Sequence, residues 1–196
     1  MSLEVTIPAS MPRRGNRRLQ AFGRFMLHLQ GWKLTGILPD ERKLVVILAP
    51  HTSNWDFTIA ASVWLALDLK LSYMMKKEAF IWPLKGFFMD IGGIPIDRSK
   101  PQNVIREAVK WFRDHEGVWL GITPEGTRKK VTSWKTGFLR IAQEANVPVL
   151  LVGIDAATRS IRIDKVVTAS GEHAVQAAEI RDYMNDKFRG INPENQ

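Results

Sequence analysis

Residue 44 begins an apolar run, Leu44-Val45-Val46-Ile47-Leu48-Ala49, which is followed by the polar residues of Pro50-His51-Thr52-Ser53-Asn54-Trp55-Asp56. Six consecutive apolar residues rich in valine, isoleucine and leucine are typical of a buried strand. Pro50 cannot donate a hydrogen bond to a neighbouring strand, so the strand ends there. Residues 52–54 favour the N-terminus of a helix, and a mostly apolar helical pattern begins just after them. The stretch therefore predicts a strand, a polar turn and a helix.

His51 and Asp56 lie in this turn, five positions apart. Inside one helix their side chains would point roughly 140° apart, because a helix turns once every 3.6 residues. They can meet only if His51 lies in the turn and Asp56 in the first turn of the helix. An aspartate bonded to one imidazole nitrogen fixes the tautomer and leaves the other nitrogen as a base near neutral pH. A turn histidine beside a helix-capping aspartate has the same spacing, so the pair alone leaves both interpretations open.

The composition excludes several kinds of site. The chain has 196 residues, which predicts one domain with a substantial core, and it contains no cysteine. Disulfides, thiolate metal sites and cysteine nucleophiles are therefore excluded. The four histidines are scattered, so we expect no metal site. The sequence has neither an apolar run of the roughly 20 residues that cross a bilayer nor a signal-peptide pattern, which predicts a cytoplasmic protein.

Basic charge is concentrated near the N-terminus. The net charge is +8, and no acidic residue lies between Glu4 and Asp40. From residue 16 to 32, apolar residues recur at three- and four-residue steps, which predicts an amphipathic helix flanked by arginines. Such a helix is typical of one that lies in a membrane interface, although a surface helix packed on its own domain has the same pattern, and both can hold through different side chains. Its apolar residues are Leu19, Phe22, Phe25, Met26, Leu29 and Trp32.

Apolar runs alternate with helical patterns, which predicts an α/β fold: a single domain with a mostly parallel or mixed central sheet flanked by helices, preceded by the basic amphipathic helix. We assign residues 1–33 to the tail and this helix, and residues 34–190 to the domain itself. The loosely alternating residues 160–169 are predicted to form the last strand, at an edge of the sheet. The other predicted strands are residues 44–49, 71–75, 92–98, 117–122 and 147–153, and the other predicted helices are residues 57–70, 101–115, 136–145 and 173–188.

The segment 79–91 is rich in aromatic residues and is broken by Pro83 and Gly86. Its aromatic side chains could line an apolar groove, or they could simply be part of the core. The residues concerned are Phe80, Trp82, Phe87 and Phe88.

Three of the predicted strands end in polar, charged turns. Ligands of such sheets bind beyond the carboxyl ends of the strands, so we expect the three turns to converge on one crevice. Arginine guanidinium groups suit phosphate, and Gly126 would let backbone N–H groups approach an anionic oxygen closely. The turns are residues 51–56, Asp97-Arg98 and residues 125–130.

Four blocks of the sequence resemble those of the glycerolipid acyltransferase family, typified by the lysophosphatidic acid (1-acylglycerol-3-phosphate) acyltransferases. His51-Thr52-Ser53-Asn54-Trp55-Asp56 is similar to the first block, H-x-x-x-x-D. Lys76-Lys77-Glu78 and Gly93-Ile94-Pro95-Ile96-Asp97-Arg98 resemble the second. Pro124-Glu125-Gly126-Thr127-Arg128 is similar to the third, and Val147-Pro148-Val149 to the fourth. The first and third blocks together are specific.

The resemblance covers roughly residues 43 to 155, and it makes residues 34–190 an acyltransferase domain. It implies transfer of a fatty acyl group from acyl-ACP or acyl-CoA, as co-substrate, to a hydroxyl group of a lysophospholipid or a related acceptor, with no metal or bound cofactor. In this interpretation His51 deprotonates the acceptor hydroxyl, and Asp56 orients the imidazole. The implied substrate-binding residues are Arg98, Glu125, Gly126, Thr127 and Arg128, with Lys76 as a weaker candidate.

A lysolipid acceptor lies in a membrane, which gives the basic helix a purpose. We therefore expect residues 13–32 to contact an anionic membrane surface, with the protein bound peripherally on the inner face of the membrane. The sequence departs from the family pattern around the expected acceptor site, which leaves the acceptor's identity open. The departures are Thr123 before the third block, Pro95 in the second, Lys129 and Lys130 after the third, and no second proline in the fourth.

Three other functions have to be weighed. A non-catalytic lipid- or membrane-binding module could retain this scaffold, although the intact His51 and Asp56 argue against it. An acyl thioesterase would use water in place of the acceptor hydroxyl. The basic charge also suits nucleic acid, but the chain has no recognisable nucleic-acid motif, so we expect no nucleic-acid partner.

Overall fold

Seven strands form one sheet in the computed structural model, which describes residues 5–97 and 101–196. Their order across the sheet is β1-β7-β6-β2-β5-β3-β4. The strands are β1 (Lys33–Gly36), β2 (Lys43–Ala49), β3 (Leu71–Lys76), β4 (Gly93–Ile96), β5 (Val118–Ile122), β6 (Val149–Asp155) and β7 (Ser160–Val167). The helices are α1 (Arg17–Leu29), α2 (Trp55–Ala66), α3 (Leu84–Asp90), α4 (Pro101–Asp114), α5 (Gly137–Ala145) and α6 (His173–Lys187).

The sheet is mixed, which confirms the predicted α/β class. Every pairing between neighbouring strands is parallel except that of β6 with β7, which is antiparallel. The predicted edge position of the strand at residues 160–169 is wrong, because β1 pairs with the far side of β7. β1 has only four residues and only Leu34 is buried, so its sequence carries no periodic signal.

Alternate residues of the strands face two separate cores. Along β2, Leu44 and Val46 pack into one core, and Val45 and Ile47 into the other. This follows from the geometry of a strand, in which successive side chains point to opposite faces. The first core lies beneath α1 and α2, and the second lies beneath α4, α5 and α6. Because both faces are covered, β2 has the continuous apolar sequence of a strand at the centre of a sheet.

Helix α1 packs closely along α2. Asn16 caps its N-terminus by accepting hydrogen bonds from the N–H groups of Arg18 and Leu19. Gly23 lies so close to Leu65 and Ala66 that a Cβ at this position would clash with their backbone. The predicted amphipathic helix therefore forms and packs on its own domain.

The apolar side of α1 is only partly used in this packing. Of the predicted apolar residues, Leu19 packs partly against the core, whereas Phe22, Phe25 and Leu29 are each more than half exposed. Leu27, which the predicted pattern did not include, is the apolar residue of the helix that is buried. Packing on the domain is thus confirmed, and the membrane-interface interpretation of the exposed side chains stays a prediction. No helix in the described part of the chain is both long enough and apolar enough to span a bilayer.

Helix α2, which follows β2, begins and ends earlier in the sequence than predicted. The expected range was 57–70, whereas α2 begins at Trp55 and ends at Ala66. Asp68 adopts a left-handed backbone conformation with φ of 58°, and its carboxylate accepts hydrogen bonds from the N–H groups of Gly15 and Asn16. This turn stops the helix and fixes the entry to α1.

Candidate active site

His51 and Asp56 lie at the carboxyl edge of the sheet, which we define as the edge where β2 and β5 end. His51 follows β2 in the turn, and Asp56 lies in the first turn of α2, as the spacing requires. Nδ1 of His51 is 3.0 Å from Oδ2 of Asp56. The Asp56 side chain is fully buried, and that of His51 is 15% exposed.

The turn itself holds the carboxylate of Asp56. Oδ2 accepts hydrogen bonds from the N–H groups of Thr52, at 2.7 Å, and Ser53, at 2.8 Å. Asn54 makes no side-chain capping bond, so Asp56 satisfies these donors and places its negative charge at the positive end of α2. The aspartate is thus both a cap and a partner of the histidine.

The contact between the imidazole and the carboxylate is close but not well aligned as a hydrogen bond. In proteins without bound substrate, catalytic hydrogen bonds are often poorly aligned and tighten in the substrate complex. Nδ1 is enclosed beside Asp56, whereas Nε2 is not enclosed and bonds to no described residue. Nε2 is therefore the ring nitrogen that a substrate can reach.

Glu125 lies beside the histidine turn, at the end of the neighbouring strand β5. It follows β5, which pairs with β2, and its Oε1 accepts a hydrogen bond from the backbone N–H of His51 at 3.0 Å. Oε2 of Glu125 is buried, and burial raises the pKa of this carboxyl group above its usual value. The predicted convergence of the β2 and β5 turns is therefore present, and Glu125 holds the backbone of the histidine turn.

A cleft of about 520 Å³ lies beside Glu125 and opens to solvent. Gly126 forms one wall with a φ of 65°, a conformation that favours glycine. The side chain of Lys135 lies over Gly126, so a Cβ there would come within 2.8 Å of Lys135 Nζ. Thr127 and Lys130 also line the cleft, whereas Arg128 is exposed in the same loop and is not part of its lining.

Lys135 was missed by the sequence analysis because it lies seven residues beyond the third block. Its backbone N–H donates to the carbonyl of Pro124 at 3.0 Å, which folds residues 124–135 back on themselves. No sequence pattern predicts that a lysine at this distance after a glycine-containing loop folds back onto the loop. Only the closed loop brings its ammonium group over Gly126.

Residues after α6 pack against the histidine turn. The Asn192 backbone N–H donates to Thr52 Oγ1 at 3.1 Å, and Nδ2 of Asn195 donates to the Thr52 carbonyl at 3.3 Å. Gly190 touches Thr52 so closely that a Cβ at Gly190 would lie 2.6 Å from the methyl group of Thr52. These contacts hold Thr52, the residue next to His51, although Asn192 lies 140 positions away from it in the sequence.

Two predicted site residues do not join the histidine turn. Lys76 ends β3 and is exposed. Strand β4 is separated from β2 by β5 and β3, so Asp97 at its end lies at the edge of the sheet, where it pairs with Lys77 at 2.7 Å. Asp97 thus lies three strands away from β2, and the convergence of its turn with the other two stays a prediction. Arg98 lies outside the described residues.

Within residues 5–97 and 101–196, no group of three or more histidine, aspartate or glutamate residues is placed to hold a metal ion. The fold and the site together define a class: α/β domains in which a buried carboxylate contacts a histidine at the carboxyl edge of the sheet, where such folds bind their ligands.

Comparison with known proteins gives the family. The sequence model of the acyltransferase family matches residues 33–155. The chain therefore belongs to the acyltransferase family, which confirms the resemblance of its sequence blocks and makes it an acyltransferase. Its fold is similar to the crystal structure of the 1-acyl-sn-glycerophosphate (LPA) acyltransferase PlsC from Thermotoga maritima, with a TM-score of 0.63. That match covers 86% of this chain and 76% of the other at 21% sequence identity. No curated protein matches the chain.

Proposed function

We propose that this acyltransferase moves a fatty acyl group from an acyl thioester, acyl-CoA or acyl-ACP, to a hydroxyl group of a lysophospholipid, in the manner of a 1-acylglycerol-3-phosphate acyltransferase. The observation that carries the proposal is the 3.0 Å contact of His51 Nδ1 with the fully buried Asp56, which leaves Nε2 open. A histidine arranged in this way suits deprotonation of a neutral hydroxyl near pH 7.

The reaction needs one base and no covalent intermediate with the protein. Nε2 of His51 accepts the proton of the acceptor hydroxyl while its oxygen attacks the thioester carbonyl. The tetrahedral intermediate then collapses, the C–S bond breaks, and the imidazolium returns the proton to the thiolate. Asp56 stabilises the imidazolium between these two steps. Because the thioester is already activated and His51 supplies the base, we propose that no metal or bound cofactor takes part.

The cleft beside Glu125 is the proposed place for the acceptor's phosphate group. Lys130 and Lys135 contribute two positive charges to its lining, and Gly126 leaves the backbone accessible. Thr127 supplies a hydroxyl group, and exposed Arg128 can reach the phosphate from the same loop. Glu125 has a different part in this proposal: it positions His51 through the backbone and does not bind the phosphate. Lys76 and Arg98 stay candidates for contact with more distant parts of the substrates.

Thiol release tests the proposed reaction. Purified protein is incubated with acyl-CoA or acyl-ACP, with and without a panel of lysolipids, in parallel with His51→Ala. We expect thiol release that requires both a lysolipid and His51. Release without any acceptor would identify a thioesterase instead. An active and folded His51→Ala protein would remove His51 from the mechanism.

We also propose that the protein binds the inner face of the membrane peripherally, through residues 13–32. Support comes from the exposed Phe22, Phe25 and Leu29 on a helix that has five arginines in or just before it and no acidic residue. Deleting the helix would be a poor test, because Leu27 is part of the core. Replacing the three exposed residues with serine should weaken sedimentation with anionic vesicles by about 10-fold or more while leaving the melting temperature unchanged. Unchanged sedimentation would exclude this helix as the anchor.

A further inference from the structure

The segment between β3 and β4 exposes large apolar side chains that the protein itself does not cover. Helix α3 buries none of its seven residues fully, and only Phe88 packs against the core. Trp82, just before the helix, is 91% exposed. We call the exposed apolar side chains of this segment the 81–89 surface; they are Ile81, Trp82, Leu84, Phe87 and Met89.

The 81–89 surface places five large apolar side chains within nine residues, each 48% to 91% exposed. A soluble monomer rarely exposes a contiguous apolar patch of more than a few hundred Å², and such patches mark sites of binding. Tryptophan and phenylalanine at the tip of a loop, with one lysine among them, are typical of residues that enter the interface of a bilayer. Lys85 is the charged residue between Ile81 and Met89.

The 81–89 surface lies on the same side of the sheet as α1. Phe88 of α3 packs into the core that also contains Leu27 of α1, whereas α4, α5 and α6 cover the other core. Arg14, just before α1, donates a hydrogen bond to the carbonyl of Asp90 at the end of α3. The α1 helix and the 81–89 surface therefore lie on the same side of the sheet and are joined by a hydrogen bond.

This segment also begins at the carboxyl edge that holds His51. β3 runs parallel to β5 and β5 to β2, so Lys76 at the end of β3 lies at the same edge as the histidine turn. Ile81 and Trp82 follow within six residues. Trp55, at the start of α2 beside Asp56, is exposed on that edge as well.

The charge distribution points to an anionic occupant. Residues 13–33 and 70–90 together hold ten of the 28 basic residues and two of the 20 acidic residues. The rest of the chain is left with eighteen of each and is neutral. All the net charge thus lies in the two segments that carry eight of the twelve large apolar side chains exposed in the described residues, which is the combination that binds an anionic bilayer.

We propose that the 81–89 surface is a second membrane-inserting element, which acts with α1 to set the carboxyl edge against an anionic bilayer. The inference deepens the proposed function, on which it rests for a lipid acceptor as the reason to approach a bilayer. Two separate contacts on one face fix the orientation of the domain as well as its attachment. The opening beside His51 then faces the lipid headgroups.

The absence of cysteine makes a direct test possible, because a single introduced cysteine can be labelled specifically. The full chain is prepared as Phe25→Cys, Trp82→Cys, Phe87→Cys and Val175→Cys, and each variant is labelled with an environment-sensitive fluorophore. Val175 is the matched control, since it is 53% exposed, close to the 56% of Phe87, but lies on α6 over the other core. We expect vesicles of phosphatidylglycerol and phosphatidylethanolamine to shift the emission to the blue at positions 25, 82 and 87, and not at 175.

Other patterns would overturn the proposal in distinguishable ways. A shift at position 25 alone would leave α1 as the sole membrane contact. A shift at 82 and 87 without vesicles, growing with protein concentration, would mean that a second copy of the chain covers the surface. A shift on adding monomeric acyl-CoA alone would mean that the acyl chain of the donor lies there. None of these outcomes bears on acyl transfer itself, which thiol release with a short-chain soluble acceptor measures separately.

Two double variants test how much the 81–89 surface contributes to the free energy of vesicle binding. Trp82→Ser combined with Phe87→Ser should reduce partition into anionic vesicles by about 10- to 100-fold, because each large apolar side chain buried in the interface contributes roughly tenfold. Val166→Ser combined with Val175→Ser should bind as the wild type does, since these exposed residues lie away from the surface. Circular dichroism and thermal melting verify that both double variants are folded. Equal partition of the two double variants would overturn the proposal.

Discussion

Replacing Asp56 with asparagine separates the charge of this residue from its shape. The amide oxygen of the asparagine can take the place of Oδ2 of Asp56 and keep the hydrogen bonds from the N–H groups of Thr52 and Ser53. The amide nitrogen then occupies the position of Oδ1, which is buried and makes no hydrogen bond with a described residue. Asp56→Asn therefore removes the negative charge beside His51 and leaves the turn in place.

The size of the effect follows from the 3.0 Å separation of His51 Nδ1 and Asp56 Oδ2. At an effective dielectric constant of about 20, unit charges at this distance interact by roughly 5 kcal/mol, and the amide dipole retains a part of that. A loss of about 3–5 kcal/mol in the stabilisation of the imidazolium corresponds to a decrease in kcat of about 10²- to 10⁴-fold. We expect KM to change little, because the charge acts on the reacting proton and not on the bound lipid.

The cost in stability is expected to be smaller. Two hydrogen bonds to a charged acceptor become bonds to a neutral one, and one buried donor is left without a partner. The removed desolvation penalty of the charge offsets part of this loss. The free energy of unfolding should therefore decrease by about 1–3 kcal/mol.

A matched control separates the effect on the reaction from the effect on the fold. Asp68 is also buried and also accepts two backbone N–H bonds, from Gly15 and Asn16, but it lies at the far end of α2. Asp68→Asn should lower the free energy of unfolding to a similar extent and leave kcat unchanged.

Steady-state thiol release gives kcat and KM for each variant, and urea unfolding gives the stability. The variant His51→Ala/Asp56→Asn should be no slower than His51→Ala alone, because Asp56 acts through the histidine. A kcat of Asp56→Asn near that of the wild type would show that the charge of Asp56 does not support His51. A double variant whose loss in kcat equals the product of the two single losses would show that Asp56 acts independently of the histidine.

Two further predictions concern the third block and its loop. Burial raises the pKa of the Glu125 carboxyl group, so the folded protein binds this proton more tightly than the unfolded chain does, and stability is lost as the pH rises through the folded pKa. Glu125→Gln cannot ionise, so its free energy of unfolding relative to the wild type should increase from pH 4 towards pH 8; a constant or falling difference in urea unfolding would contradict this. Lys135→Ala should raise the KM for a phosphate-bearing acceptor by about 3- to 10-fold with little change in kcat, and should not affect a neutral monoacylglycerol acceptor. Lys110→Ala, on α4, is the control. An equal effect of Lys135→Ala on both acceptors would show that Lys135 does not bind the phosphate group.

Much of the candidate site could be predicted because its signal is local. The apolar run of β2, its end at Pro50 and the five-residue spacing of His51 and Asp56 all lie within one strand, turn and helix. Strand periodicity and helix geometry act over a few residues, so they can be read from the sequence. The same holds for α1, whose apolar spacing and arginines predicted an amphipathic helix that the structure contains.

Other features depended on which elements become neighbours, and no short pattern determines that. Glu125 accepts the hydrogen bond from the backbone N–H of His51 because β5 pairs with β2, and Asp97 lies at an edge because β4 is the last strand of the sheet. The hydrogen bond of Asn192 to Thr52 joins residues 140 positions apart. The exposure of the 81–89 surface was equally undecided, since an aromatic segment has the same sequence in a core as on a surface. The local chemistry of the histidine turn follows from its own residues, whereas its surroundings follow from packing between distant segments, which depends on the order of the strands in the whole sheet.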